Sequence, residues 1–127
     1  MALSSATSKS SPLFHLRTND KSYEKYSNSV DFIQKYVFPG GMLPSQEKLN
    51  ESYKEVGLKE IGSISFGKSY AKTLGLWHND FVRSIKSIRK LGFDDRLERI
   101  FRYYFSYCKA GFNSEKIDVV QKIIKID

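Results

Sequence analysis

The segment KSYAKTLGLWHNDFVRSIKSIRKLG, residues 68–92, restricts most strongly what this chain can build. Its large apolar side chains fall at Tyr70, Leu74, Trp77, Phe81, Ile85 and Ile88, in steps of 4, 3, 4, 4 and 3. That spacing keeps one stripe along the side of a helix. So long a stripe needs a partner, and the following segment supplies one. RLERIFRYYFSYCKA, residues 96–110, places Leu97, Phe101, Tyr104 and Cys108 on one face, with Asp94 or Asp95 as N-cap and Gly111 as stop. Gly92 separates the two helices. The expectation is a helical pair, 67–91 and 94–110, packed through Tyr70, Leu74, Trp77, Phe81, Phe101 and Tyr104.

The remaining segments mix the two regular structures. PLFHLRT (12–18) and KIDVVQKIIKI (116–126) read as strands, and LKEIGSISFG (58–67) reads as a strand with Ile61, Ile64 and Phe66 as its apolar content. Residues 21–37 read as one helix, with Tyr26, Val30, Ile33 and Val37 at helical spacing. Pro39-Gly40-Gly41 must end it. Ser45 then caps QEKLNESYKEV, and Gly57 closes that helix. Residues 1–11 read as a tail.

Charge is distributed unevenly. The chain carries +7 overall, yet residues 1–66 hold 8 basic against 7 acidic side chains and residues 67–127 hold 13 against 7. The second half therefore favours an anionic partner. Arg83, Lys86, Arg89, Lys90, Arg96, Arg99 and Arg102 concentrate on the two long helices, as a solvated helical face or as a contact for anionic membrane or nucleic acid. No nucleic-acid fingerprint accompanies them. The single cysteine, Cys108, excludes an internal disulfide and fits a reducing compartment. It lies on an apolar stripe, where a thiol is ordinarily a small buried hydrophobe. His15 and His78 stand apart without ligand spacing, so no metal site is expected. The eight glycines never form Gly-x-Gly, which removes the strand–turn–helix cradle of a nucleotide-like cofactor. The opening MALSSATSKSS lacks the apolar core of a secretory signal; it is Ser-rich and acid-free, which fits a tail or an imperfect gene start better than an organellar transit peptide. No apolar run reaches membrane-spanning length.

Four stretches in this order, DFIQKYVFPGGMLPS (31–45), FGKSYAKTLGLWHNDF (66–81), LGFDDRLERIFRYYFSYCKAGF (91–112) and IDVVQKIIK (117–125), resemble the C-terminal part of the cyclopropane-fatty-acyl-phospholipid synthases and the related mycolic-acid methyltransferases. The resemblance covers about residues 20–127, so residues 1–18 read as an atypical tail with a first strand and 19–127 as the family portion. It implies an α/β fold, the C-terminal half of a Rossmann-like class I methyltransferase, with a partial sheet and lid helices. It also implies S-adenosylmethionine chemistry on a cis double bond of a phospholipid acyl chain, followed by proton loss and ring closure.

Residue by residue, the resemblance gives Tyr70 the role of the family tyrosine that helps hold a bicarbonate ion, the acceptor of the leaving proton. A phenol can donate to an anion and remain neutral. Phe38, Pro39, Gly40, Gly41, Met42 and Leu43 become a lipid-facing loop, although an uncharged Pro-Gly loop is equally a packed turn. Arg83, Arg89, Arg96 and Arg102 become candidate membrane or anion contacts. The family's cofactor-binding half, with its Gly-rich loop and its active-site cysteine and glutamate, lies N-terminal to the matching region. The family's histidine or glutamine on the strand before Tyr70's helix has His15 or Phe14 as its nearest counterpart.

The expectation is thus a portion of a lipid methyltransferase that binds no cofactor by itself. S-adenosylmethionine and bicarbonate belong to the complete enzyme. The expected partners are a cofactor-binding half, in the same or a separate chain, and an anionic phospholipid membrane, but not nucleic acid. The expected location is cytoplasmic and peripheral at the inner membrane surface, with an organelle as the other option. The competing reading is a non-enzymatic basic module that binds anionic membrane or an acidic partner.

Overall fold

A computed structural model describes residues 10–126. The elements run β1 (Ser10–Thr18), α1 (Asp20–Ser27), α2 (Phe32–Tyr36), α3 (Gln46–Glu55), β2 (Leu58–Ser65), α4 (Gly67–Lys90), α5 (Asp95–Asn113) and β3 (Ile117–Ile126). The tail expected at 1–11 lies outside the described residues up to residue 9; Ser10 and Ser11 already belong to β1.

The three strands form one antiparallel sheet in the order β1-β3-β2. The β-branched segment at the C-terminal end therefore becomes the central strand. Alternation along β3 sends Ile117 and Val119 to one face and Val120, Lys122 and Ile124 to the other. The first face receives α4 and α5, whose Ala71, Leu74, Phe105 and Phe112 form the buried core with Ile117 and Val119 against it. The second face meets α3, where Tyr53 is buried and Gln46 reaches the ammonium of Lys122.

The α4–α5 pair forms as expected, but its seam is shifted. The inward residues of α4 include Ala71, Leu74 and Phe81, and His78 stacks on Phe105 with ring centroids 5.5 Å apart. Ala71, Leu74, His78 and Phe81 follow steps of 3, 4 and 3. Trp77 sits beside that line and is 48% exposed, contrary to expectation. The cause is angular: Ala71 and His78 centre the seam, and neither weighs in a hydrophobic pattern. Gly111 does not stop α5, which runs to Asn113. A Cβ at Gly111 would lie 2.9 Å from Cδ1 of Ile117, so the glycine serves a close helix–strand approach.

The helix expected over 21–37 is two helices. Asn28 and Ser29 turn their side chains back onto the carbonyls of Glu24 and Lys25. Asp31 and Gln34 then form a reciprocal capping box that starts α2. Val30, expected on the apolar face, is exposed in the break. In β2, a bulge at Ile61 breaks the alternation, and both Ile61 and Ile64 face solvent rather than a core.

Candidate functional site

Tyr70 stands in the first turn of α4. Its ring meets Phe112 edge-on at 5.0 Å and Trp77 edge-on at 5.8 Å. Among the described residues its hydroxyl makes no hydrogen bond, and burial raises its pKa, with the Cys108 thiol near enough to contribute. It is thus a neutral phenol with an unused donor. Tyr104, one turn before Cys108 on α5, is pushed up to about 12, by burial first and then by Cys108 and Tyr70. Burial also pushes the Cys108 thiol up to about 11, so it is no nucleophile. Three protonated side chains, Tyr70, Tyr104 and Cys108, therefore gather where α4 and α5 meet.

The break before α2 closes this corner. The Tyr107 hydroxyl donates to Oδ2 of Asp31 at 3.1 Å. Burial and then the Asp31 carboxylate raise Tyr107 to about 12. Phe32 packs on Tyr103 at 4.5 Å, with Tyr36 and Tyr107 also around it. The loop that follows is held at three points. Gly41 N donates to the carbonyl of Phe38, Gln34 Nε2 donates to the carbonyl of Gly41, and Leu43 N donates to the Tyr26 hydroxyl. Gly40 has φ +79°, a conformation that glycine adopts at little cost. Phe38 and Met42 project outward, Pro39 and Gly40 are exposed, and Leu43 is half-buried. The loop is pinned through its backbone and presents apolar side chains to solvent.

A cavity of about 420 Å³ opens on the other side of Phe112, between the carboxyl end of β1 and the start of α4. Arg17, Asn19, Ser65, Gly67 and Asp118 are among its walls. Asp118 organises this end of the sheet. Its Oδ1 accepts from the backbone N–H of Gly67 at 3.0 Å, which caps α4, and its Oδ2 takes Ser65 Oγ and, at 3.2 Å, Nη2 of Arg17. A Cβ on Gly67 would lie 2.6 Å from that Oδ1, so only glycine admits the cap. His15 does not reach the cavity. It faces the α3 side, where both ring nitrogens are buried without a partner, and burial, then Lys122 and Arg17, lower its pKa. Sequence reasoning missed Arg17 and Asp118; the one legible sign was a lone acid in an otherwise β-branched run.

The four arginines singled out above are differently placed. Arg83 pairs with Asp80, Arg89 with Asp95 and Glu98, and Arg102 with Glu98. Arg96 makes no ion pair among the described residues. No group of His, Cys, Asp and Glu among those residues suits a metal ion, and no helix among them is long and apolar enough to cross a membrane.

This geometry has relatives. A family model described as mycolic acid cyclopropane synthetase matches residues 6–122. The chain belongs to that family. It is 38% identical over 91 residues to the tuberculostearic acid methyltransferase UfaA1 of Mycobacterium tuberculosis, covering 71% of this chain and 21% of the relative. It is 31% identical over 101 residues to the cyclopropane-fatty-acyl-phospholipid synthase of Escherichia coli, covering 79% of this chain and 26% of the relative. The chain thus spans about a quarter of the curated relatives it matches. The fold resembles that of the cyclopropane synthase MmaA2 from Mycobacterium tuberculosis, with a TM-score of 0.78 at 21% identity over 93% of this chain and 44% of that one. The mycolic acid cyclopropane synthase CmaA1, complexed with SAH and CTAB, gives 0.76 at 23% identity, over 91% of this chain and 44% of that one. The α/β architecture is therefore that of S-adenosylmethionine-dependent methyltransferases, represented in part.

A nucleotide-like cofactor such as S-adenosylmethionine is held where a glycine-rich turn leads from a strand into a helix. The glycines with positive φ, Gly40, Gly57 and Gly92, sit in a loop and at two helix ends. None of the three lies in a turn that leads from a strand into a helix, where backbone N–H groups cradle such a cofactor.

Proposed function

We propose that this chain supplies the substrate-side portion of an S-adenosylmethionine-dependent lipid methyltransferase. On this reading the enzyme forms cyclopropane rings on unsaturated phospholipid acyl chains, and a cofactor-binding half in the same or a separate chain completes it. The observation that carries the reading is Tyr70: a protonated phenol with an unspent donor, on a rim of aromatic rings, in a chain of this family. In the complete enzyme the Tyr70 hydroxyl would hold a bicarbonate ion by donating a hydrogen bond to it, and that ion would supply a base for the leaving proton. The aromatic rim excludes water from an acyl chain, and Phe38, Met42 and Leu43 offer it an apolar approach. The enzyme works peripherally at an anionic membrane.

Tyr70→Phe tests the role, because it keeps the ring and removes only the hydroxyl. In the chain reunited with a cofactor-binding half, ring formation should fall by about a hundredfold or more. The melting temperature should hardly move, because among the described residues the hydroxyl makes no hydrogen bond that the substitution could remove. A reconstituted variant of near-normal rate would make Tyr70 a packing residue.

A further inference from the structure

The α4–α5 hairpin ends in a turn that contradicts ordinary burial. Leu91 follows the last residue of α4 and is 76% exposed, and Phe93, two residues on, is 49% exposed. Gly92 between them has φ +94°, and its N–H bonds the carbonyl of Arg89, so the turn is tight and presents both side chains at its crest. A glycine with positive φ is an ordinary helix cap, and the residue after such a glycine commonly packs back on the last helical turn. Nothing in the cap calls for Leu91.

Basic residues on the adjoining ends of α4 and α5 flank this crest, and the nearby acids are engaged. Asp94 caps α5 by accepting from Leu97 N, Asp95 pairs with Arg89, and Glu98 is shared by Arg89 and Arg102. Among the described residues, Lys86, Lys90, Arg96 and Arg99 make no ion pair, and all four are exposed. Two exposed apolar side chains on a tight turn, with four unspent cations on the adjoining turns of α4 and α5, match the interface of an anionic bilayer, with apolar groups below the headgroups and ammonium and guanidinium groups among the phosphates. Nucleic acid would use the cations but gain nothing from Leu91.

We infer that the tip of the α4–α5 hairpin, Leu91 and Phe93 flanked by Lys86, Lys90, Arg96 and Arg99, is the surface that docks on anionic phospholipid bilayers. This deepens the lipid-enzyme reading and rests on it for the identity of the bilayer. Tyr70 lies 21 residues before Leu91 along α4, about 30 Å away at the helical rise. The tip is therefore an anchor, separate from the acyl site.

The test is co-sedimentation of the full chain with vesicles containing phosphatidylglycerol and with vesicles of phosphatidylcholine alone. Binding should require the anionic lipid. Lys90→Glu and Arg96→Glu should each weaken it by about fivefold or more, and high salt should do the same to the parent. Leu91→Glu should abolish sedimentation without changing thermal unfolding. In a Trp77→Phe background, the fluorescence of Leu91→Trp should shift to the blue on anionic vesicles and be quenched by brominated acyl chains. Unchanged binding of Leu91→Glu, absent quenching, or a preference for short duplex DNA over anionic vesicles would overturn the proposal. Methyl transfer on micellar phospholipid by the reconstituted enzyme separates the two readings. Leu91→Glu should retain micellar activity and lose vesicle activity; loss of micellar activity in the parent would defeat the enzyme reading and leave the tip to the sedimentation result.

Discussion

Lys122 is the residue least foreseen by a hydrophobic pattern. It occupies the middle of the central strand at 0% exposure, with its ammonium 2.6 Å from Oε2 of Glu60, 2.9 Å from Oε1 of Gln46, and over the ring of Tyr53. A buried ion pair is weak evidence for net stability, but breaking one partner of it is costly. Glu60→Ala should therefore cost about 3–5 kcal/mol in denaturant unfolding, while Lys122→Met, which fills the same space without charge, should cost little or stabilise. Equal losses for the two would mean that the pair contributes packing alone. In QKII the strand alternation was legible, but one glutamate across the sheet and one helix above it decide that a lysine can point inward. Those partners lie 62 and 76 positions away. Gly67 makes the same point for the candidate site: glycine before a long helix reads as a boundary, while its function is to leave room for Asp118. Gly67→Ala should lower stability by more than the gain in helix propensity, because the added Cβ displaces the cap.

At the scale of elements, much was legible wherever local chemistry decides. The Ser45 cap, the Gly57 and Gly92 stops and the Asp94 cap all occur as the local sequence implies. The two long helices announce themselves through stripes that no other structure would bury. Which residues centre the seam was not legible, since Ala71 and His78 rank low in hydrophobicity yet face Phe105 and its neighbours. Leu74→Ala should cost about 2–5 kcal/mol, as for a buried leucine, while Trp77→Ala should cost clearly less despite the larger side chain. Thermal melts of the two variants check the order. The polar layer between β3 and α3 gives the chain a pH dependence with two stages. The His15 imidazole, lowered by burial and by Lys122 and Arg17, takes up a proton less readily folded than unfolded. Stability should therefore begin to fall as pH drops below about 6.5. For the Glu60 carboxyl, burial alone would raise the pKa, but the hydrogen bond and charge of Lys122 outweigh it. Its contribution is present above about 4.5 and is lost below. His15→Leu should flatten the first stage and Glu60→Gln the second.

At the scale of the whole molecule, the sheet is open. β1 pairs only with β3 among the described residues, so the outer edge of a nine-residue strand has no strand partner, although Thr18 N there donates to the Pro44 carbonyl. Leu16 and Ile123 on one sheet face are each more than two-fifths exposed, and Ile64 on the same face reaches 65%. A free edge beside uncovered apolar faces invites pairing with a further strand. This is what the family relationship leads one to expect of a stretch that spans about a quarter of its curated relatives. The partial α/β plan and the family were legible because the motifs around Tyr70 and the Pro39-Gly40-Gly41 loop are dense and ordered. The cavity beside Asp118 was not, because its walls come from β1, β2, α4, α5 and β3 at once. The most direct test of the account is methyl transfer from labelled S-adenosylmethionine to an unsaturated phospholipid, measured for this chain alone, for a separately expressed cofactor-binding half alone, and for their mixture. The account predicts cyclopropane product only in the mixture, together with protection of the β1 amides from hydrogen exchange when the two are combined. Product from this chain alone, or no product from a mixture that forms a stable complex, would contradict it.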